Sequence, residues 1–171
     1  PDSVEKAGRI AYHWRQADND ERERPYLIDA ADYALRLNSF QDAVRLYRRV
    51  LELESDERSD IALIQIKLGE SLMYLGDYDE ALKNVREGLD SLDESQDAEQ
   101  ARALALLADL FWRTGKFDDA RNYAQQALDI SRKSAITEVE IRSLSRLGYL
   151  AFEKGDYANA EDFYQKGLSL A

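Results

Sequence analysis

The chain has 171 residues, of which eight are glycine and two proline, about half the usual share of the two residues that interrupt helices. Hydrophobic residues make up 44%, enough for a buried core, while 34 acidic against 23 basic side chains give a formal charge of −11, which works against nucleic acid because phosphates require a basic surface. With no cysteine, one histidine and one methionine, disulfides, thiolate zinc sites and cysteine nucleophiles are excluded, and most transition-metal sites lack ligands.

Long uninterrupted helices are therefore expected. No stretch approaches the roughly 18 apolar residues of a membrane span, and residues 1–20 lack a signal-peptide pattern, so a cytoplasmic location without a membrane partner is expected. The acidic excess is local: residues 61–100 hold ten acids and three bases, whereas 101–171 hold ten of each.

In chain order, residues 3–17 read as an amphipathic leading helix within 1–20, with Val4, Ala7, Ile10, Ala11 and Trp14 on one face and Asp18-Asn19-Asp20 as its stop. His13, between Tyr12 and Trp14, reads as a partly buried helix residue rather than a catalyst. Pro25 suits the first turn of the next helix. Four gapless segments follow: residues 27–53, 65–91, 104–130 and 144–170, offset by 38, 39 and 40 residues. One column holds Ala43, Ala81, Ala120 and Ala160. Three residues before it stand Phe40, Tyr78, Phe117 and Tyr157, and eight after it Leu51, Leu89, Leu128 and Leu168.

Each aromatic follows Asn38-Ser39, Gly76-Asp77, Gly115-Lys116 or Gly155-Asp156: a residue able to take positive φ at the end of one helix, then usually a side chain able to cap the next. Lys116 breaks that capping pattern. Apolar residues recur at spacings of three and four on both sides of the turn, as in Leu68, Leu72 and Leu75, so each unit is a helical hairpin. The alanines, with Gly69, Ala108 and Gly148 on the preceding helices, allow the two helices to approach closely. The hairpins are expected at about 22–55, 57–94, 97–133 and 135–171, in an array covering 21–171.

The runs LGESLMYLGDYDEALKNVREGL and LGYLAFEKGDYANAEDFYQKGL resemble the tetratricopeptide repeat family over residues 25–171. That resemblance implies an all-α fold, a right-handed superhelix of about four hairpins plus the leading helix. It also implies a concave groove lined by the first helix of each hairpin. Two departures stand out: the period exceeds the usual 34 residues, and no proline follows the second helices. The extra residues are expected to lengthen the first helices, over 97–113 and 136–153. The stretch IAYHWRQADNDERERPYLIDAADYAL also resembles the helical region after the nucleotide-binding module of bacterial signal-transducing ATPases and cyclase-like or transcriptional regulators. A fragment of a longer protein is expected, since no polar capping helix closes the array.

No phosphate-cradling glycine loop, nucleophile constellation or metal cluster is apparent; Asp118-Asp119, Glu52/Glu54 and Asp93-Glu94 read as solvated helix faces and starts, so no enzyme and no cofactor are expected. Two columns are expected to face the groove: Leu35, Met73, Trp112 and Phe152, and three residues earlier Asp32, Glu70, Asp109 and Tyr149, with Tyr74 and Arg113 beside them. An apolar stripe beside an acidic one predicts an amphipathic or basic peptide anchored on Trp112 and Phe152. Arg102, Arg113, Arg142 and Arg146 could form a basic patch or pair with nearby acids. Members that clamp the acidic carboxyl terminus of chaperones carry lysine, asparagine and arginine where this chain has Asp, Glu, Asp and Tyr, so that role is not expected. The function expected is protein or peptide recognition, with a regulatory segment of a larger protein or homo-oligomeric self-association as alternatives.

Overall fold

The computed structural model describes residues 2–53, 58–93 and 95–171, with side chains over 7–53, 60–93 and 95–171. Among the described residues every regular element is an α-helix: α1 Asp2–Gln16, α2 Asp20–Arg36, α3 Phe40–Glu52, α4 Arg58–Leu75, α5 Tyr78–Asp90, α6 Asp97–Arg113, α7 Phe117–Lys133, α8 Thr137–Glu153 and α9 Tyr157–Leu168. They group into two compact units, Pro1–Ser91 and Leu92–Ala171. Within each unit every helix packs on its chain neighbour, and in the second α6 also meets α8. The first helices of the hairpins run 17 or 18 residues, as the long period implies, and α7 is equally extended at 17.

The hairpins turn as their sequences indicate. Asn38, Gly76, Gly115 and Gly155 take φ of 58°, 87°, 76° and 79°, and the N–H of the next residue closes the turn on the carbonyl five residues back: Ser39 to Ala34 at 2.8 Å, Asp77 to Leu72 at 3.0 Å, Lys116 to Phe111 at 2.8 Å and Asp156 to Ala151 at 3.0 Å. The side chains of Asp77 and Asp156 then cap the following helices, accepting from the N–H groups of Glu80 and Asn159. Lys116 makes no such cap, and Ser39 turns its hydroxyl to Asp42 instead.

Two further turns repeat this device between hairpins. Asp18 at φ 53° precedes Asn19, whose N–H reaches the Trp14 carbonyl at 3.1 Å; Ala135 at φ 55° precedes Ile136, whose N–H reaches Ser131 at 2.8 Å. The triplet Asp18-Asn19-Asp20 is thus more than a stop. Asn19 caps α2 through the Arg22 N–H, and Asp20 is the first residue of that helix. The early cap corrects the placement of Pro25, which lies inside α2 beyond its first turn.

Close helix approach sets the core. Ala43, Ala81 and Ala120 are fully buried and Ala160 nearly so. A Cβ added at Gly69 would sit on the Val85 methyl and 3.0 Å from the Ala81 carbonyl oxygen, so α4 and α5 meet at a distance only glycine permits. The aromatic column is graded: Phe40 and Tyr78 are half-buried, whereas Phe117 and Tyr157 are exposed. Leu51 and Leu89 are half-buried, Leu128 is buried, and Leu168 on α9 stands open. The leading helix buries Ala7 and Ala11 but leaves His13 exposed, against the partly buried position expected for it; Val4 lies outside the described side chains. The first unit also buries a carboxylate, Glu23, which accepts from Arg49 at 2.8 Å; that bond holds the guanidinium above its ordinary value against the opposing effect of desolvation.

Candidate functional site

The first helix of each hairpin carries the residues singled out from sequence, and the two units present them separately. In the second unit α6 and α8 lie side by side. Asp109, buried on α6, accepts from two guanidiniums of α8: Arg142 reaches Oδ2 at 2.6 Å, and Arg146 reaches Oδ1 at 2.6 Å. Thus fixed, Arg146 places its guanidinium 4.1 Å from the centroid of the Trp112 ring. Tyr149 meets the same ring edge-on at 5.4 Å, and exposed Arg113 approaches it at 5.7 Å. Partial desolvation and then a hydrogen bond to Glu153 push the Tyr149 phenol above its usual value. One turn further along α8, Phe152 is 52% exposed and rests edge-on against Tyr157 at 5.5 Å. The second unit therefore shows Trp112, Tyr149, Phe152 and Tyr157 as an aromatic strip with arginines at one end.

In the first unit the same helix column is more enclosed. Asp32 on α2 accepts from Lys67 of α4, with Nζ 2.8 Å from both carboxylate oxygens, and from the Tyr47 hydroxyl of α3 at 2.6 Å. Glu70 is half-buried, and its charge bears on Tyr47. Leu35 is half-buried. Met73 is 2% exposed and belongs to the core, a correction to its expected place on an open face. Tyr74, 47% exposed, stacks on Phe40 at 4.4 Å.

These contacts correct the acidic stripe. Asp32 and Asp109 are spent on holding neighbouring first helices together, so neither stands ready to steer a basic ligand. Of the two roles open to Arg142 and Arg146, pairing with acids is the one observed, and Arg102 lies 3.9 Å from Glu99 on an exposed face. The partner missed in the sequence is Lys67, which shares a column with Arg146: each stands three residues ahead of the acidic-column position on its hairpin, Glu70 and Tyr149. A base one turn ahead of that column, on the hairpin after each acid, was the readable signal.

No group of three or more histidine, cysteine or acidic side chains is arranged to hold a metal among the described residues, and no described helix is long and apolar enough to cross a membrane. Asp118 and Asp119 are exposed, as solvated first-turn residues should be; the Lys154 ammonium at 3.0 Å, through its hydrogen bond first, holds the Asp118 carboxyl below its ordinary value. Glu52 and Asp93 are likewise exposed, and their companions Glu54 and Glu94 lie outside the described residues.

Models of the tetratricopeptide repeat match residues 60–133 and 141–171. The chain belongs to the tetratricopeptide repeat family. Protein KINESIN LIGHT CHAIN-RELATED 3 of Arabidopsis thaliana is 28% identical over 120 residues, which cover 67% of this chain and 18% of that protein, so the chain spans under a fifth of that relative. Among solved structures, BtubC (BKLC) from P. vanneervenii superposes with a TM-score of 0.73 at 22% identity, over 98% of this chain and 69% of that one. The Rap conjugation gene regulator of plasmid pLS20, solved in complex with the Phr* peptide, gives a TM-score of 0.77 at 17% identity over 91% of this chain and 44% of its own. These likenesses concern the fold of tetratricopeptide hairpins.

Proposed function

We propose that this tetratricopeptide chain is a non-catalytic protein-interaction module that binds an amphipathic peptide segment of a partner on the first-helix face of its second unit. The observation that carries the reading is the aromatic strip in which half-buried Trp112 and Tyr149 lead to exposed Phe152, with Trp112 held in place by the Asp109 and Arg146 pair. Aromatic side chains with few rotatable bonds lose little entropy when covered, and they dominate binding energy when a partner excludes water from them. Because Asp109 is already shared by two arginines, the strip selects for apolar anchors in the ligand more than for positive charge. The binding of peptide by a structural neighbour, the Rap regulator solved with Phr*, supports the choice of ligand class.

Selection from a random peptide library against the chain tests this reading. Enriched sequences should carry aromatic or aliphatic residues at spacings of three and four. Trp112→Ala and Phe152→Ala should each weaken the selected peptides by about tenfold or more, as loss of a central anchor costs about 2 kcal/mol. Unchanged affinity in both variants, with helicity intact, would sink the assignment of the face.

A further inference from the structure

A cavity of about 610 Å³ lies beside α1 and α2 in the first unit, lined by Trp14, Glu21, Arg22, Pro25, Tyr26 and Asp29. Trp14 comes from the last turns of α1. The other five occupy one face of α2, at steps of one, three, one and three residues, so their side chains are neighbours on the helix surface. Two walls are aromatic, and the Trp14 ring already holds the Arg22 guanidinium 4.8 Å from its centroid, showing that its face accepts a cation. Glu21 and Asp29 are exposed, and neither joins an ion pair among the described residues. Arg22 offsets only one of these two negative charges. The surroundings reinforce the sign, since residues 1–91 hold 20 acids against 13 bases.

We infer that this pocket receives a lysine or arginine side chain of a partner polypeptide, its cation placed against the Trp14 and Tyr26 rings in the negative field of Glu21 and Asp29. A neutral occupant would leave the charge of the two carboxylates unbalanced, and an anion would be repelled by them. A bound cation balances that charge. Arg22 is the resident competitor: it covers the ring and cancels part of the charge. The site is independent of the aromatic strip of the second unit, and one can fail without the other.

Trp112→Phe leaves Trp14 as the sole tryptophan and hence an optical reporter of the pocket. Its emission is followed while a blocked Gly-Arg-Gly-Arg-Gly peptide is added, and again with the citrulline peptide, which keeps the shape of arginine without its charge. The arginine peptide should give a saturable change with an affinity at least fivefold above that of the citrulline peptide. The double variant Glu21→Gln with Asp29→Asn should weaken it at least fivefold, and Arg22→Ala should tighten it severalfold. All three positions are exposed, and far-UV circular dichroism verifies that each variant keeps its helices. Equal binding of the citrulline peptide, no effect of the double substitution, weaker binding after Arg22→Ala, or no saturable change at any concentration up to about 5 mM would each overturn the inference.

Discussion

Single side chains decide what the inner helix columns can do. Asp32 and Asp109 occupy equivalent positions, and both are tied to a base on the next first helix, Lys67 in one unit and Arg146 in the other. Their types and columns were legible in the sequence; their commitment was not, because a column alignment displays the acid and its base in different places. Tyr47 is the side chain on which the consequence is measurable. It is fully buried and donates to Asp32, and burial first, then that bond, raise its phenol above its ordinary value of 10.0. A raised value in the folded state means that the stabilisation is complete below pH 10 and is lost as the pH climbs beyond it, because the unfolded chain releases this proton first. Stability measured by urea unfolding should fall above pH 10, with Tyr47 contributing up to about 1.4 kcal/mol per pH unit. Tyr47→Phe should cost about 1.5–3 kcal/mol at neutral pH, as for a hydrogen bond to a charged group, and should flatten the alkaline slope. Equal slopes in the two proteins would remove Tyr47 from the account.

At the scale of elements, the hairpins were readable because backbone need and residue type coincide: asparagine or glycine stands where φ must be positive, and an aromatic with alanine three residues on follows. Ala135 breaks that coincidence. It adopts φ 55° between α7 and α8 with a Cβ in place, so nothing in its type announces the turn, and the turn is held instead by the bond from Ile136 to Ser131. The left-handed region costs a non-glycine residue about 1–2 kcal/mol, and glycine gives back part of that gain through the entropy of the unfolded chain. Ala135→Gly should therefore stabilise by about 0.5–1 kcal/mol, read as a higher midpoint in chemical denaturation with an unchanged slope. A loss of stability would show that the methyl group makes contacts that outweigh its backbone strain. Pro25 illustrates the opposite failure: proline suits the first helical turn, but Asn19 caps the helix earlier, and the capping group fixed the boundary.

For the molecule as a whole, the decisive property is that helices within each unit pack almost entirely on chain neighbours, so stability is a sum of adjacent interfaces rather than one shared core. The repeat period reveals this one-dimensional logic from sequence alone, and Trp112 and Phe152 were legible as column positions, whereas the contacts around the proposed binding surfaces, such as Arg146 over Trp112 and Arg22 over Trp14, join different helices and were not. Local damage should accordingly stay local. Gly69→Ala forces a methyl onto Val85 at the α4 and α5 contact, and overpacking of this kind typically costs about 1–3 kcal/mol. Native-state hydrogen exchange should then show the largest loss of protection in α4 and α5, a smaller loss in α3, and little change in α8 and α9. The ordering follows from contact within the first unit, where α3 touches α4 directly, and from the membership of α8 and α9 in the other compact unit. A uniform loss across all helices would instead mean that the chain opens as one cooperative body, and the additive account of its stability would have to be abandoned.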